Sequence, residues 1–375
     1  MKILISDVEN RKSFDIVNMM LLHYDRKDII PASNDDSMLL KKIYPDLFIL
    51  RSLVYGEFEQ DLKRLINSQP ESEQILYLAV EEKTTIFFYA FIRNNSKEAT
   101  RLIHLLPPEE SFNISRDKYR LNVFCTENDI AVPEIIQYTA LDEFVKRFVP
   151  LIYKPKEGSG SKGIQFVHTP DDLKNIEQRE DFFLQRFVGN GVNVEGGFYL
   201  MDKGTLISFY SHQRIRTYPP EGGVSVYSQT IENSRIEVIG AKLLSRLNWS
   251  GWAMIEFIYD EKSDEYVVIE INPRAWGSIL LSEFNNADFL RKYIALATGE
   301  QVKTSVINYN TFIRWMFPWD ILLFLKKKGK ISNFWKLDTK KTCYIGFTYA
   351  GMFRSLLFIL YSVFSIKHLK KILKG

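Results

Sequence analysis

Only two of the 375 residues are cysteine, Cys125 and Cys343, which excludes a disulfide framework and suits a reducing cytoplasm. No apolar run reaches the roughly twenty residues that a bilayer-spanning helix needs. The first strand-like segment, Lys2–Ser6, is not followed by G-x-G-x-x-G, and nowhere does Gly-Lys-Ser/Thr open a helix, so both a dinucleotide fingerprint and a Walker loop are absent. No Cys-His or Ser-His-Asp arrangement suggests a protein nucleophile. The opening Met1-Lys2-Ile3-Leu4-Ile5-Ser6-Asp7 turns polar too early for a signal peptide and reads as a buried strand. What is present is an ordinary globular composition, 46% hydrophobic and 25% charged, long enough for two or three domains.

The net charge of +3 hides a division. Residues 326–375 hold twelve Lys and Arg against one acid, Asp338, and the other 325 residues hold 37 bases and 45 acids. A mildly acidic body lacks the clustered cations that phosphate-backbone contacts need, which argues against nucleic acid as a partner.

Up to about residue 110, apolar runs (Lys2–Ser6, Leu47–Leu50, Ile75–Val80, Ile86–Ile92) alternate with helix-like stretches (Phe14–Tyr24, Glu57–Asn67), the pattern of a small α/β, Rossmann-like layer. Pro107-Pro108 marks its end. The chain restarts with a polar helix around Asp117–Asn128. A strand ending in Lys154-Pro155 then runs into Gly158-Ser159-Gly160-Ser161-Lys162-Gly163 and a second strand, Ile164–Val167. Such a Gly/Ser hairpin offers bare backbone N–H groups to phosphate oxygens, although hairpins of this composition also serve as plain turns. Phe182–Val188 reads as a further strand, Val194–Met201 and Thr205–Tyr210 as a hairpin, and Ile236–Leu247 as a helix.

The most informative segment is Glu270-Ile271-Asn272-Pro273-Arg274, fourteen residues beyond Glu256 in another apolar run. Alternation puts Glu270 and Asn272 on one strand face, and Glu256 belongs to the preceding strand, so three oxygen donors can converge. Hard divalent cations take that donor set, and Mg²⁺ is commonly held by one or two carboxylates plus nucleotide phosphates. His212, Arg214 and Arg216 share another strand face, a costly cluster unless anions lie opposite. Arg214 is the residue in it expected to meet phosphate or a substrate carboxylate. Trp276, Gly277 and Ser278 either line a pocket or belong to the core.

Taken in order, Asp117-Lys118, Lys154-Pro155, the Gly/Ser hairpin, Leu184–Val188, Glu256, Glu270, Asn272 and Arg274 resemble the ATP-grasp superfamily over roughly residues 1 to 300. Within it they look like the carboxylate-amine ligase branch, related to carbamoyl-phosphate synthase and D-alanine-D-alanine ligase. The resemblance implies a mixed α/β and α+β fold in four parts. These are a pre-ATP-grasp domain (1–110), a small lid subdomain (111–188), a C-terminal antiparallel-sheet subdomain that binds metal (189–305) and a basic, aromatic-rich helical tail (306–375). It implies that Lys118 and Lys154 reach the nucleotide phosphates and that Gly158, Ser159, Gly160, Ser161 and Gly163 close over them. Gln185 and the backbone of Phe187 and Val188 would meet adenine. Asn193 would stand where many relatives have an acid for the ribose, a departure that leaves the ribose contact open. Glu256, Glu270 and Asn272 would hold Mg²⁺ (or Mn²⁺), two ions with Glu270 bridging them, and Arg274 would face the transferring phosphoryl group.

The activity so implied is ADP-forming ligation of a carboxylate to an amine through an acyl-phosphate, on an amino acid, sugar or cell-envelope precursor. The alternatives are a thiol or phosphate acceptor, or a silent nucleotide-binding module. In the tail, the twelve-residue apolar stretch Ser355–Ile366 is too short to span a bilayer. With the surrounding lysines it reads equally as an interfacial helix on an anionic, cytoplasmic membrane face and as a helix packed on the body or in a homodimer.

Overall fold

The structure is a computed structural model. It describes the chain except residues 138–149, 159–162, 170, 173–175, 178, 190–193, 219–223, 317–319, 332–333, 337, 339, 345–351 and 365–375. The N-terminal unit is a five-stranded parallel sheet of β1 (Lys2–Ile5), β2 (Ile29–Ser33), β3 (Phe48–Ile49), β4 (Ile75–Leu78) and β5 (Leu102–His104), in the order β3-β2-β1-β4-β5. Its central strands are apolar on both faces because both are covered. Ile3 and Ile5 pack with Phe14 and Ile16, while Leu4 packs with Phe58 and Leu62. The strand order reverses between β1 and β4, so the turns after them, Ser6–Glu9 and Ala79–Glu82, open at the edge where α/β sheets bind ligands.

One sequence expectation needs correcting in this unit. The apolar run Ile86–Ile92 lies within the helix Glu82–Asn94, and the fifth strand is β5. A short apolar run carries no decisive period, and here tertiary packing chose the helix.

The second unit is an antiparallel sheet of β6 (Ile135–Ile136), β7 (Leu151–Pro155), β8 (Gln165–Val167) and β9 (Phe182–Arg186), ordered β6-β9-β7-β8. Leu151 pairs with Val167, so the Gly/Ser segment does connect two antiparallel neighbours. The preceding helix, Lys118–Glu127, begins where Asp117 accepts hydrogen bonds from the backbone N–H groups of Tyr119 (2.9 Å) and Arg120 (3.0 Å), an N-cap that fixes Lys118 in the first turn.

The third unit is a seven-stranded sheet of β10 (Val194–Asp202), β11 (Thr205–Tyr218), β12 (Val224–Ile231), β13 (Gly251–Asp260), β14 (Glu265–Asn272), β15 (Phe312–Arg314) and β16 (Thr342–Tyr344). The order is β14-β13-β10-β11-β12-β15-β16, antiparallel except for the last pair. The helix Ser234–Arg246 covers one face through Ile236, Leu243 and Leu244 against Tyr199, Ile255 and Phe257. On the other face Phe198, Tyr210 and Trp276 join the cluster that runs into the N-terminal unit. Trp276 is therefore core, with its indole N–H donating to the Tyr210 hydroxyl at 3.2 Å.

The tail carries helices at Ile321–Lys326 and Met352–Phe364, and it also adds β15 and β16 to the sheet. Three-residue strands leave almost no periodic trace in a sequence. Phe358 of the last helix stacks on Phe14 at 4.2 Å, and the Tyr361 hydroxyl donates to Asp35 at 2.5 Å, so this helix closes back on the N-terminal unit.

Candidate functional site

The register of the large sheet assembles the site. His212 on β11 lies opposite Gly196 on β10, Gly196 opposite Glu256 on β13, and Glu256 opposite Glu270 on β14. Residues directly opposite share a face, so the two carboxylates and the imidazole form one row across four strands. The pairing shifts between Glu256 and Phe257, leaving Ile269 as the extra residue beside Glu270, and such a bulge re-aims neighbouring side chains. Asn272, two residues along, donates its amide N–H to Glu270 Oε1 at 3.1 Å.

Cations ring these oxygens. Arg214 Nη2 reaches Glu256 Oε1 at 2.5 Å, and Lys118 Nζ lies 3.4 Å from Glu270 Oε2 while donating to the Gly158 carbonyl at 2.6 Å. Burial raises the Glu256 pKa above the usual carboxylate range; Arg214 opposes the shift and the charge of Glu270 adds to it. Among the described residues no group of three or more His, Cys, Asp or Glu is assembled for a metal. The set here is two carboxylates and an amide oxygen, all hard donors, and a divalent cation between facing carboxylates relieves the repulsion that burial magnifies. The residues present fit Mg²⁺.

Lys154, the last residue but one of β7, has only 5% of its surface exposed and its ammonium 5.2 Å from the Phe183 ring centroid. Burial lowers its pKa to about 8; the charge of Lys118 adds to the shift and Glu270 opposes it. Among the described residues this ammonium makes no hydrogen bond, so a phosphate oxygen would supply the missing partner. The folded chain favours neutral Lys154, so this residue's contribution to stability rises with pH from about 8 towards the ordinary lysine value. Affinity for a nucleotide whose phosphate took this ammonium would run the other way, because that contact needs the proton. We expect the dissociation constant for Mg·ADP to rise up to about tenfold per pH unit above about 8, and Lys154→Arg to flatten that rise, as measured by calorimetry from pH 6 to 10. An identical slope in the arginine variant would remove Lys154 from the phosphate site.

Arg274 is held on three sides. Its Nε donates to Glu82 Oε1 at 3.0 Å, Nη2 to Asn272 Oδ1 at 2.7 Å and Nη1 to the Ala275 carbonyl at 3.2 Å. The anions expected opposite the basic face of β11 are protein carboxylates. Glu256 takes Arg214, and buried Asp320 takes Arg216 at 2.6 Å together with Arg314. His212 has neither: it is 2% exposed, both ring nitrogens lack a hydrogen-bond partner among the described residues, and burial beside Arg214 lowers its pKa to about 3. Its ring occupies the space that a Cβ on Gly196 would fill, 3.0 Å from that position.

Gln185 is buried on β9 with Nε2 donating to the Pro133 carbonyl at 3.0 Å. The Phe187 N–H donates to the Pro150 carbonyl at 2.9 Å, and Val188 packs with Ile258 and Val267. Gly158 and Gly163 flank the hairpin tip with φ of 124° and 77°. Ser159, Gly160, Ser161 and Asn193 lie outside the described residues. Sequence reasoning missed Glu82, Arg116 and the Arg186–Asp260 pair at 2.7 Å that ties β9 to β13. Their only signal was charge next to a recognised motif, as Arg116 stands before Asp117-Lys118.

Residues 115–278 match the sequence profile described as the ATP-grasp domain. The carbamoyl phosphate synthase large chain of Clostridium acetobutylicum is 26% identical over 190 residues, 46% of this chain and 18% of that one. The chain spans less than a third of the length of the curated relatives it matches. Among solved structures, the biotin carboxylase domain dimer of Hydrogenobacter thermophilus 2-oxoglutarate carboxylase, in complex with MgADP, ADP and bicarbonate, superposes with a TM-score of 0.57 at 15% identity, covering 83% of this chain and 73% of that one. An L-amino acid ligase from Bacillus licheniformis gives 0.59 at 16%, covering 79% and 74%. The ordered motifs, the three-sheet architecture and the matching profile agree: residues 115–278 are an ATP-grasp domain.

Proposed function

We propose that this chain is an ATP-dependent ligase that joins a carboxylate to an amine, releasing ADP and phosphate. The observation that carries the reading is the facing Glu256–Glu270 pair with Asn272, ringed by Lys118, Arg214 and Arg274. Glu256, Glu270 and Asn272 would hold Mg²⁺, two ions in this reading, which when bound screens the triphosphate and polarises its terminal phosphoryl group. Lys154 and Lys118 bind phosphate oxygens, the first already desolvated and the second by giving up the Gly158 carbonyl. Arg274 turns a guanidinium edge to the phosphoryl group as it passes to the substrate carboxylate, where charge spreads over the oxygens. The acyl-phosphate then carries a good leaving group for the amine, so no protein nucleophile is needed. Arg214, one bond from Glu256, orients the carboxylate. Neutral His212, two residues before Arg214 on the same strand face, adds no charge to the site.

ADP release measured with pooled carboxylates, bicarbonate included, and pooled amines tests this reading. Release should require one member of each pool. Release with thiols instead would move the acceptor class, and ATP binding without any release would leave a silent module.

Among the described residues no helix is long and apolar enough to cross a membrane. The helix Met352–Phe364 nevertheless has two apolar faces. Phe358 and Tyr361 pack inward, while Phe353, Leu356 and Leu360, at helical spacing, are 72%, 52% and 37% exposed. With twelve bases and one acid across 326–375, this stripe suits peripheral contact with anionic lipid on the cytoplasmic face. Changing all three residues to Ser should lower sedimentation with phosphatidylserine vesicles about tenfold or more, since each partly buried side chain contributes on the order of 1 kcal/mol. Unchanged sedimentation would refute the contact, and loss of a dimer would assign the stripe to a second copy of the chain.

A further inference from the structure

The candidate site is wired to the N-terminal unit by one carboxylate. Glu82, the first residue of the helix that follows β4, accepts from Arg274 Nε through Oε1 at 3.0 Å, and its Oε2 lies 3.5 Å from Arg116 Nε. Arg116 Nη2 in turn donates to Glu157 Oε2 at 2.8 Å, beside Gly158, whose carbonyl Lys118 holds at 2.6 Å. Lys118 leads to Glu270, Glu270 to Asn272, and Asn272 to Arg274. The circuit is closed: Glu82, Arg116, Glu157-Gly158, Lys118, Glu270, Asn272 and Arg274 return to Glu82. Glu82 follows β4 of the N-terminal unit, Glu157-Gly158 follow β7 of the second, and Glu270 and Asn272 lie on β14 of the third, so the circuit joins all three units.

We propose that Glu82 is a positioning residue that keeps Arg274 aimed at the phosphoryl group during transfer and links that aim to the end of β7. The inference rests on the nucleotide-metal reading of the site. Its logic is partner exchange. A cation bound by Glu270 and Asn272 takes the Asn272 oxygen that Arg274 Nη2 now uses, and a phosphate takes the Lys118 ammonium that Glu270 and the Gly158 carbonyl now share. Three of the seven links therefore open when nucleotide and metal enter. The Nε bond to Glu82 does not compete with either ligand, and with the Nη1 bond to the Ala275 carbonyl it becomes the fixed frame from which the freed Nη2 turns. Without Glu82, the arginine fork that should meet the transition state has no second anchor, and pre-aimed donors are worth far more than mobile ones. Arg116 acts through Glu82, holding its other oxygen while gripping the strand end from which Lys118 must detach.

The proposal separates ground-state from transition-state binding. Glu82 touches neither nucleotide nor metal, so Glu82→Gln, which keeps size and an acceptor oxygen but removes the charge, should bind Mg·ADP within about threefold of the unaltered chain. The same variant should bind Mg·ADP with aluminium fluoride, a mimic of the phosphoryl group in flight, at least tenfold more weakly. Glu82→Asp should recover part of that loss. Arg116→Ala should weaken the aluminium fluoride complex in the same sense, and the double variant should be no worse than Glu82→Gln alone, as expected for residues acting as one unit. A purely structural role would weaken both ligands equally and lower the melting temperature, which overturns the proposal. Equal affinity of the Gln variant and the unaltered chain for the aluminium fluoride complex also overturns it. Failure of the unaltered chain to bind Mg·ADP would instead remove the nucleotide reading on which it stands.

Discussion

Glu270→Gln should abolish turnover and leave the fold as stable as before, or more so. The two halves of this result have one cause. Glu270 faces Glu256 across β13 and β14, and both are mostly withdrawn from water. In the ligand-free chain that closeness works against folding, and the charge of Glu270 helps to push the Glu256 pKa up. Removing the charge relieves the pair, while the Gln oxygen still accepts from Asn272. Turnover has no such substitute, because an amide is a far poorer ligand for Mg²⁺ than a carboxylate and Lys118 loses its counter-ion. We expect ADP release to fall by about three orders of magnitude, roughly 4 kcal/mol of transition-state stabilisation, with the melting temperature unchanged within a few degrees. An active variant would sink the metal assignment, and an unfolded one would show that Glu270 is structural.

Gly251→Ala should be the most damaging single change to stability. Gly251 opens β13 at a φ of 85°, and a Cβ there would sit 2.3 Å from the Leu105 carbonyl oxygen. That oxygen is backbone, and it is also fixed by the Tyr293 hydroxyl at 2.8 Å, so it cannot swing aside. The substitution combines left-handed strain with a collision at the seam between the N-terminal unit and the large sheet. Each effect costs about 1–3 kcal/mol or more, which makes a total of about 3–5 kcal/mol a reasonable expectation for the loss in denaturant unfolding. A loss below about 1 kcal/mol would mean that the seam gives way easily.

What the sequence disclosed follows from physical range. Glu270 and Asn272 share a face because strands alternate, and Glu256 joins them because β13 and β14 are a hairpin pair, so the convergence of these three oxygen donors was legible. The antiparallel strands on either side of the Gly/Ser segment and the helix at Lys118 were legible for the same local reasons. Partners set by long-range register were not. Arg214 meets Glu256 only because β10 lies between their strands, and Arg274 meets Glu82 across 192 positions. The burial of Lys154 over Phe183 was equally hidden, since a lysine at a strand end looks the same in sequence whether it is wet or dry. Arg216 shows the converse: it shares a strand face with Arg214, yet its partner Asp320 draws it into the sheet's structural wiring.

The two short tail strands bear on how the chain can be cut. β16 is the outermost strand of the seven, and Phe312 on β15 donates its N–H to the Lys341 carbonyl at 2.7 Å. Truncation before residue 326 would strip β15 of its neighbour and present a raw edge of unpaired backbone groups, while baring the Phe14 ring that Phe358 covers. Such edges invite strand-to-strand aggregation. The basic tail thus serves as the sheet's selvedge, and its other roles are better probed by point changes on its outer stripe than by removing it.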